Sequence, residues 1–319
     1  MATLVKSAMV RTNLSKKRPA PSVFYMPGLS SPSPDWTAAM TAQHPQIRDL
    51  LMSNYSTILQ EYRDLRSSQQ ATPAPGGTGS SDYQVGLVTA SCVIRIHAHT
   101  HVRHAVVSNR VYNTEHVLTP SSLPRPSQVD DQKLHIGPWD WQSYLLKGQR
   151  QASFAASCPR TADILESLAY ADPGGSPAMA RPALMTGTPL SFAFFSTMGG
   201  GAEIQPHYGA CNLRIRCHFP LIVPQGDVGM ECGGMRLTWQ AGQPLFFDDA
   251  YEHRVWNYST EERVVLLFDL WHPELEQEEI AALQDMFGYA KQQGWTKEAA
   301  AAQTAAAQAA AAGQEGGQK

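Results

Sequence analysis

Eleven histidines are spread unevenly along this 319-residue chain, and two groups of them could do chemistry. His97, His99, His101 and His104 lie in HAHTHVRH. On a strand the first three share one face, a spacing that can bind a metal. No carboxylate or cysteine accompanies it, and a strand facing solvent or a crevice is the competing reading. The second group pairs His207 in GGGAEIQPHYG, read as the start of a strand after a glycine loop, with His253 in FFDDAYEHRVWNYS; Arg263 follows in EERVVLLFDLW. Imidazoles from neighbouring strands of a closed sandwich can converge on one metal, and histidine with oxygen ligands suits non-haem iron(II). A buried arginine nearby offers a planar fork to a dicarboxylate.

Around this pair, LRIRCHF alternates Leu213, Ile215, Cys217 and Phe219 with Arg214, Arg216 and His218. One face is apolar and the other basic. The basic face is either a solvated edge or the lining of a barrel mouth, where guanidinium groups recognise carboxylates. Asp248, Asp249 and Glu252 lie close before His253 and are candidate carboxylate ligands. Turn chemistry is the simplest reading of Asp248, and support beside a metal that of Asp249. Gly199, Gly200 and Gly201 would let the loop before His207 bend closely around the site. Tyr208, Trp239, Trp256 and Trp271 read as core packing. No Walker loop, GxGxxG or GxSxG occurs, which removes the commonest nucleotide and hydrolase readings.

The elements that must position these residues are mainly strands. From about residue 185, short β-branched and aromatic runs (PLSFAFFSTM, LRIRCHFPLIV, MRLTWQ, PLFFDD, HRVWNYS, RVVLLFDLW) are separated by Gly, Pro and Asn. Such spacing predicts an antiparallel sandwich or jelly roll. Upstream, Ile47, Leu50, Leu51, Tyr55, Ile58, Leu59, Tyr62 and Leu65 recur at helical spacing, predicting one helix of about five turns. SSQQATPAPGGTGSS at 67–81 reads as a flexible linker inside the domain, and PRTADILESLAY at 159–170 as a second helix. A domain over 21–276 is followed by a C-terminal helix at 277–296 and an Ala/Gln/Gly-rich tail at 297–319, with Ala at 11 of the 14 positions from 299 to 312. Residues 1–20 read as a disordered tail or a short transit peptide.

Composition narrows the function classes. Charged residues are 17% and the net charge is −3, against nucleic-acid binding by phosphate neutralisation and against a polybasic membrane surface. No apolar run approaches the ~20 residues of a spanning helix. Five cysteines without CxxC spacing suggest reduced thiols and a cytoplasmic setting, or an organelle if residues 1–20 act as a transit peptide.

STMGGGAEIQPHYGACNLRIRCHFPLIVP and PLFFDDAYEHRVWNYSTEERVVLLFDLWHPEL resemble the aspartyl/asparaginyl β-hydroxylases, a family of iron(II)- and 2-oxoglutarate-dependent oxygenases. FYMPGL at 24–29 and CPRTADILES extend the likeness to about 22–275, while the insertion around 67–130 matches poorly. The resemblance implies a mainly β fold, a cupin-like double-stranded β-helix or jelly roll with flanking α-helices. It makes His207 and His253 the iron-binding, catalytic residues. It places Ser196, Arg216, His218 and Arg263 at 2-oxoglutarate, with Ser196 assisting Arg263. Arg214, Arg216 and Asp249 are implied near the substrate. Gly209 stands where the wider superfamily carries an acidic third ligand, and these hydroxylases share that glycine. Trp271 and His272 fall in the closing motif and are assigned to structure.

The expected function is hydroxylation of an unactivated C–H bond with Fe(II), 2-oxoglutarate and O2, at the β-carbon of Asp or Asn in a polypeptide. A lipid acyl chain or small molecule is the alternative substrate, and a catalytically silent jelly-roll binding module the alternative class. Neither a nucleic-acid partner nor a transmembrane segment is expected.

Overall fold

The structure, a computed structural model, describes residues 19–71, 134–171 and 181–293. The His97–His104 cluster, Cys92 and both terminal tails lie outside the described residues. Three helices open the fold: α1 Thr37–Gln43, α2 Pro45–Ser53 and α3 Tyr55–Ala71. Strands β1 His135–Ile136, β2 Trp139–Leu146 and β3 Gln149–Arg150 precede helices α4 Ala152–Ser157 and α5 Pro159–Glu166. The short strands β4 Ala169–Tyr170 and β5 Arg181–Pro182 pair with each other. Then come β6 Ala193–Met198, β7 Ala202–His207, β8 Arg214–Ile222, β9 Val228–Cys232, β10 Met235–Leu237, β11 Leu245–Phe247, β12 His253–Asn257, β13 Arg263–Trp271 and helix α6 Gln277–Gln292.

Successive strands cross between two antiparallel sheets. One has the order β11-β8-β13-β6-β2-β3 and the other β1-β7-β12-β9-β10. The eight strands β6 to β13 make the double-stranded β-helix, with both sheets closing on a shared interior. Alternation divides the apolar residues. Phe194, Met198, Val265, Leu267, Phe247 and Val255 fill the barrel. Phe195, Phe219, Leu266, Phe268 and Phe246 face outward, against a core that also takes in Met40, Ile47, Leu51, Ile58 and Tyr62 from the helices.

Several expectations are corrected. The single predicted helix is two, α2 and α3, broken at Asn54, whose side chain donates to the Leu50 carbonyl at 2.8 Å and so competes with the helical ladder. The linker predicted from residue 67 begins inside α3, which continues to Ala71; the remainder, 72–81, lies outside the described residues. The helix predicted over 159–170 ends at Glu166, and Ala169–Tyr170 is a strand. The C-terminal helix is described to Gln292. His207 ends β7 rather than beginning a strand. The triple glycine is the β6–β7 hairpin turn, where Gly201 takes φ +74° and donates its N–H to the Asn257 carbonyl. It sits beside Arg263, which pairs with Met198, a full strand away from His207; it therefore cannot wrap the histidine site.

Residues 20–36 form a strap across the histidine end of the barrel. Ser22 N and Phe24 N donate to the carbonyls of Gly209 and Ala210, just after His207. Ala20 N donates to the Ala250 carbonyl, and Asp248 N to that of Pro34, just before His253. Met26 and Asn212 exchange two hydrogen bonds, at 2.7 and 2.9 Å. Asp248 is buried here, accepting from Ser31 Oγ at 2.5 Å and Ala250 N at 2.9 Å.

Burial pushes the Asp248 carboxyl up to about 7 despite those two donors, with Asp249 adding to the effect. A carboxyl raised by folding keeps its proton in the folded chain over a range where the unfolded chain has lost it. Stability from this group is thus complete below about pH 4 and is lost as pH rises through about 7, amounting to about 4 kcal/mol. Asp248→Asn keeps both hydrogen bonds without a titrating charge. Thermal denaturation from pH 4 to 8 should show the variant matching the parent at the acid end and exceeding it increasingly up to pH 8.

Candidate active site

β7 and β12 are neighbours, and their register sets His207 opposite His253. The ring centroids are 4.1 Å apart. Each ring is oriented by its own strand: His207 Nδ1 lies 2.8 Å from the Gln205 carbonyl and His253 Nδ1 2.9 Å from the Tyr251 carbonyl. A carbonyl only accepts, so both Nδ1 atoms carry the proton and both Nε2 atoms keep a lone pair. Burial depresses both imidazoles; His253 is pushed down to about 3, with the adjacent His207 as the second cause. Two neutral, oriented nitrogens side by side fit a divalent transition metal such as iron(II). Among the described residues no group of three His, Cys, Asp or Glu surrounds a common point, so the described residues would offer a metal these two donors.

Gly209 explains the missing third ligand. A Cβ there would come within 2.5 Å of Asp249 Cγ and 2.7 Å of its carbonyl oxygen. The Gly209 N–H also donates to that carbonyl at 2.6 Å. The space a third-ligand side chain would need is occupied by Asp249, which is itself tied down. Arg214 Nε and Nη2 reach its two carboxylate oxygens at 3.0 and 2.5 Å, and Arg216 Nη1 comes within 3.1 Å. Both arginines also hold Asp269, Arg216 through Nε at 2.8 Å and Arg214 through Nη1 at 3.2 Å. Arg214 further donates to the Leu190 carbonyl, and Asp269 accepts from Phe192 N at 3.0 Å. All four side chains are buried. Burial alone would raise the Asp249 carboxyl, but the two arginines outweigh it and hold it well below the usual range.

The basic face of β8 therefore points into the barrel and not to solvent. Its two arginines are matched charge for charge by Asp249 and Asp269, which places Arg214, Arg216 and Asp249 in one network beside the two histidines. Glu252 instead accepts from Tyr208 Oη at 3.3 Å.

Arg263 is the contrasting case. It is 1% exposed and has no carboxylate within ion-pair distance among the described residues. Among the described residues Nε and Nη1 have no hydrogen-bond partner, and Nη2 donates to Met198 Sδ at 3.2 Å. Burial lowers its pKa to about 9. An orphaned guanidinium inside a barrel calls for an anionic ligand. Ser196 is on the adjacent strand β6, and its Oγ accepts from Trp139 Nε1 at 3.0 Å, leaving the hydroxyl proton to donate elsewhere. His218, inward on β8, is held far below its normal pKa by burial and then by Arg263 and Arg216. The four predicted cofactor residues, Ser196, Arg216, His218 and Arg263, thus all line one interior.

Trp139, Trp239 and Asp269 are site residues that sequence reasoning missed. Asp269 carried a signal, being the one acid in the apolar run RVVLLFDLW. His272 and Trp271 act in structure as expected: His272 Nε2 bonds the Ser30 carbonyl at 3.0 Å, and the Trp271 carbonyl accepts from Tyr170.

A jelly roll carrying a two-histidine centre and an unpaired interior arginine defines the class. The aspartyl/asparaginyl beta-hydroxylase family profile matches residues 109–273, and the chain belongs to that family. It is 30% identical over 138 residues to human aspartyl/asparaginyl beta-hydroxylase, covering 43% of this chain and 16% of that protein. To aspartate beta-hydroxylase domain-containing protein 2 of Xenopus tropicalis it is 31% identical over 169 residues, covering 52% and 41%. To the ornithine lipid ester-linked acyl 2-hydroxylase of Rhizobium tropici it is 38% identical over 86 residues, covering 26% and 31%. The match thus spans less than half the length of each of these relatives. Among solved structures, a Pseudomonas putida prolyl-4-hydroxylase aligns at TM-score 0.26 and 14% identity over 44% of this chain and 74% of that one.

Gly209→Ala should be costly although it adds a single methyl group, because that methyl meets a carboxylate already clamped by two arginines. Overpacking of this kind costs about 1–3 kcal/mol. Denaturant titration should show a loss of that size, whereas Gly288→Ala, inside α6 with open space around it and no positive φ, should lose none.

Proposed function

We propose that the chain is an iron(II)- and 2-oxoglutarate-dependent dioxygenase that hydroxylates an unactivated C–H bond. The observation that carries this reading is Arg263, a buried guanidinium without a counter-ion among the described residues, in the same barrel as two imidazoles whose Nε2 atoms keep a lone pair. Iron(II) with 2-oxoglutarate and O2 would supply the oxidising chemistry. His207 and His253 would hold the metal through Nε2. Arg263 and the Ser196 hydroxyl would bind the far carboxylate of 2-oxoglutarate, with His218 and Arg216 facing the same cosubstrate. Trp139, Trp141, Phe194 and Phe247 would exclude water. Family membership supports the β-carbon of Asp or Asn in a polypeptide as the target.

A second substrate reading has its own support. Arg214 and Arg216 are already neutralised by Asp249 and Asp269, so the network offers no surplus positive charge to an acidic side chain. An uncharged acyl chain, as the name of the Rhizobium tropici relative indicates for that protein, suits an apolar, charge-balanced interior. Succinate release measured separately with Asp/Asn peptides and with acyl lipids discriminates the two, and release with neither sinks the enzyme reading.

His207→Ala and His253→Ala should each abolish turnover and weaken iron binding with little change in fold, since one imidazole remains where two are needed. Unchanged iron affinity would refute the assignment. Arg263→Ala should raise the Michaelis constant for 2-oxoglutarate by roughly two to three decades, because a buried carboxylate losing its partner costs on the order of 3–5 kcal/mol. Arg263→Lys should recover only part of this, keeping the charge but not the fork.

A further inference from the structure

Trp239 lies between β10 and β11 and touches both polar groups of the cosubstrate end. Its Nε1 is 3.2 Å from His218 Nδ1. An indole N–H can only donate, so His218 Nδ1 accepts and the neutral ring carries its proton on Nε2. The same indole lies under Arg263, with the guanidinium carbon 4.8 Å from the ring centroid. A carboxylate in that place would order Arg263 and also cancel its charge. An aromatic face orders it and leaves the charge available. Trp239 also borders a cavity of about 400 Å3 lined by Val223, Pro224, Gln225 and Val228.

We infer that Trp239 is a positioning residue for the anionic cosubstrate, fixing His218 as an Nε2–H donor and presenting Arg263 unpaired, so that both groups are preset for one incoming carboxylate ligand. Preorganisation of this kind lowers the ordering cost of binding without adding a direct contact. The inference rests on the proposed 2-oxoglutarate site.

The test is equilibrium binding of 2-oxoglutarate to the 319-residue chain, anaerobically and with manganese(II) in place of iron. Trp239→Phe keeps a ring but loses the N–H. It should bind roughly three- to ten-fold more weakly, the worth of one hydrogen bond, with the loss falling on the 2-oxoglutarate KM and not on kcat. Trp239→Leu loses the ring face as well and should weaken binding several-fold further. In a His218→Asn background, Trp239→Phe should add little. Nitrogen NMR of histidine in the unsubstituted chain, with His218 assigned by its loss in His218→Asn, should show the proton on Nε2, a result that does not depend on any Trp239 variant folding. A proton on Nδ1, or parent-like binding by Trp239→Phe, overturns the role of Trp239 while the proposed function stands. Failure of the parent chain to bind 2-oxoglutarate overturns both.

Discussion

Two arginines and two aspartates share the barrel interior without access to water, and the architecture of the site depends on their balance. Isolated charges could not be buried there at tolerable cost. As a closed set, they bond one another and the Leu190 carbonyl and Phe192 amide, and they tie β8 to β13 and to the turn before His253. Asp269 pairs in register with Arg216, while Asp249 comes from the loop that leads into β12. The network is thus the joint between the two sheets at the end where the histidines meet, and Gly209 is glycine because of what that joint occupies.

Against that balanced set, Arg263 stands out by having no counter-charge among the described residues. The same fold satisfies two interior arginines completely and leaves the third on an aromatic face. This asymmetry divides the interior into a part whose charges the described residues balance and a part where a guanidinium rests on an indole. It is also why Trp239 belongs with Arg263 and not only with the core.

Much of this was legible in the sequence. The strand texture after residue 185 marked six of the eight barrel strands. The alternation in LRIRCHF separated inward from outward side chains correctly, and the resemblance picked out His207, His253 and Arg263. What could not be read was pairing. Alternation puts Arg214 and Arg216 on one face but is silent on what lies opposite, so they were expected to meet ligand carboxylates and not Asp249 and Asp269. The triple glycine was placed at the histidines because it precedes His207 in sequence. A six-residue strand carries the chain about 20 Å, which puts it at the other end of the barrel. β2 was missed because the alternation in WDWQSYLL shifts between Ser143 and Leu145. Among the barrel strands, β7 was missed because AEIQPH has few apolar residues, and β9 because VGMEC, although Val228, Met230 and Cys232 alternate, is only five residues long. Trp139 and Trp239 gave no local signal, because their roles lie in the hydrogen bonds made by their indole nitrogens.

The strap over residues 20–36 has a kinetic consequence. Its bonds to the ligand loops join positions as distant as Ser22 and Gly209, 187 residues apart. Contacts of such separation carry a large loop-closure entropy and are expected to form after the local hairpins. The barrel can therefore acquire its sheets before the loops beside the two imidazoles become rigid, so that the final geometry of the histidine end follows secondary structure during folding. Pulsed hydrogen exchange on the refolding chain would show this order directly, with the amides of Phe24 and Asp248, which bond across the strap, gaining protection later than those of β8 and β13.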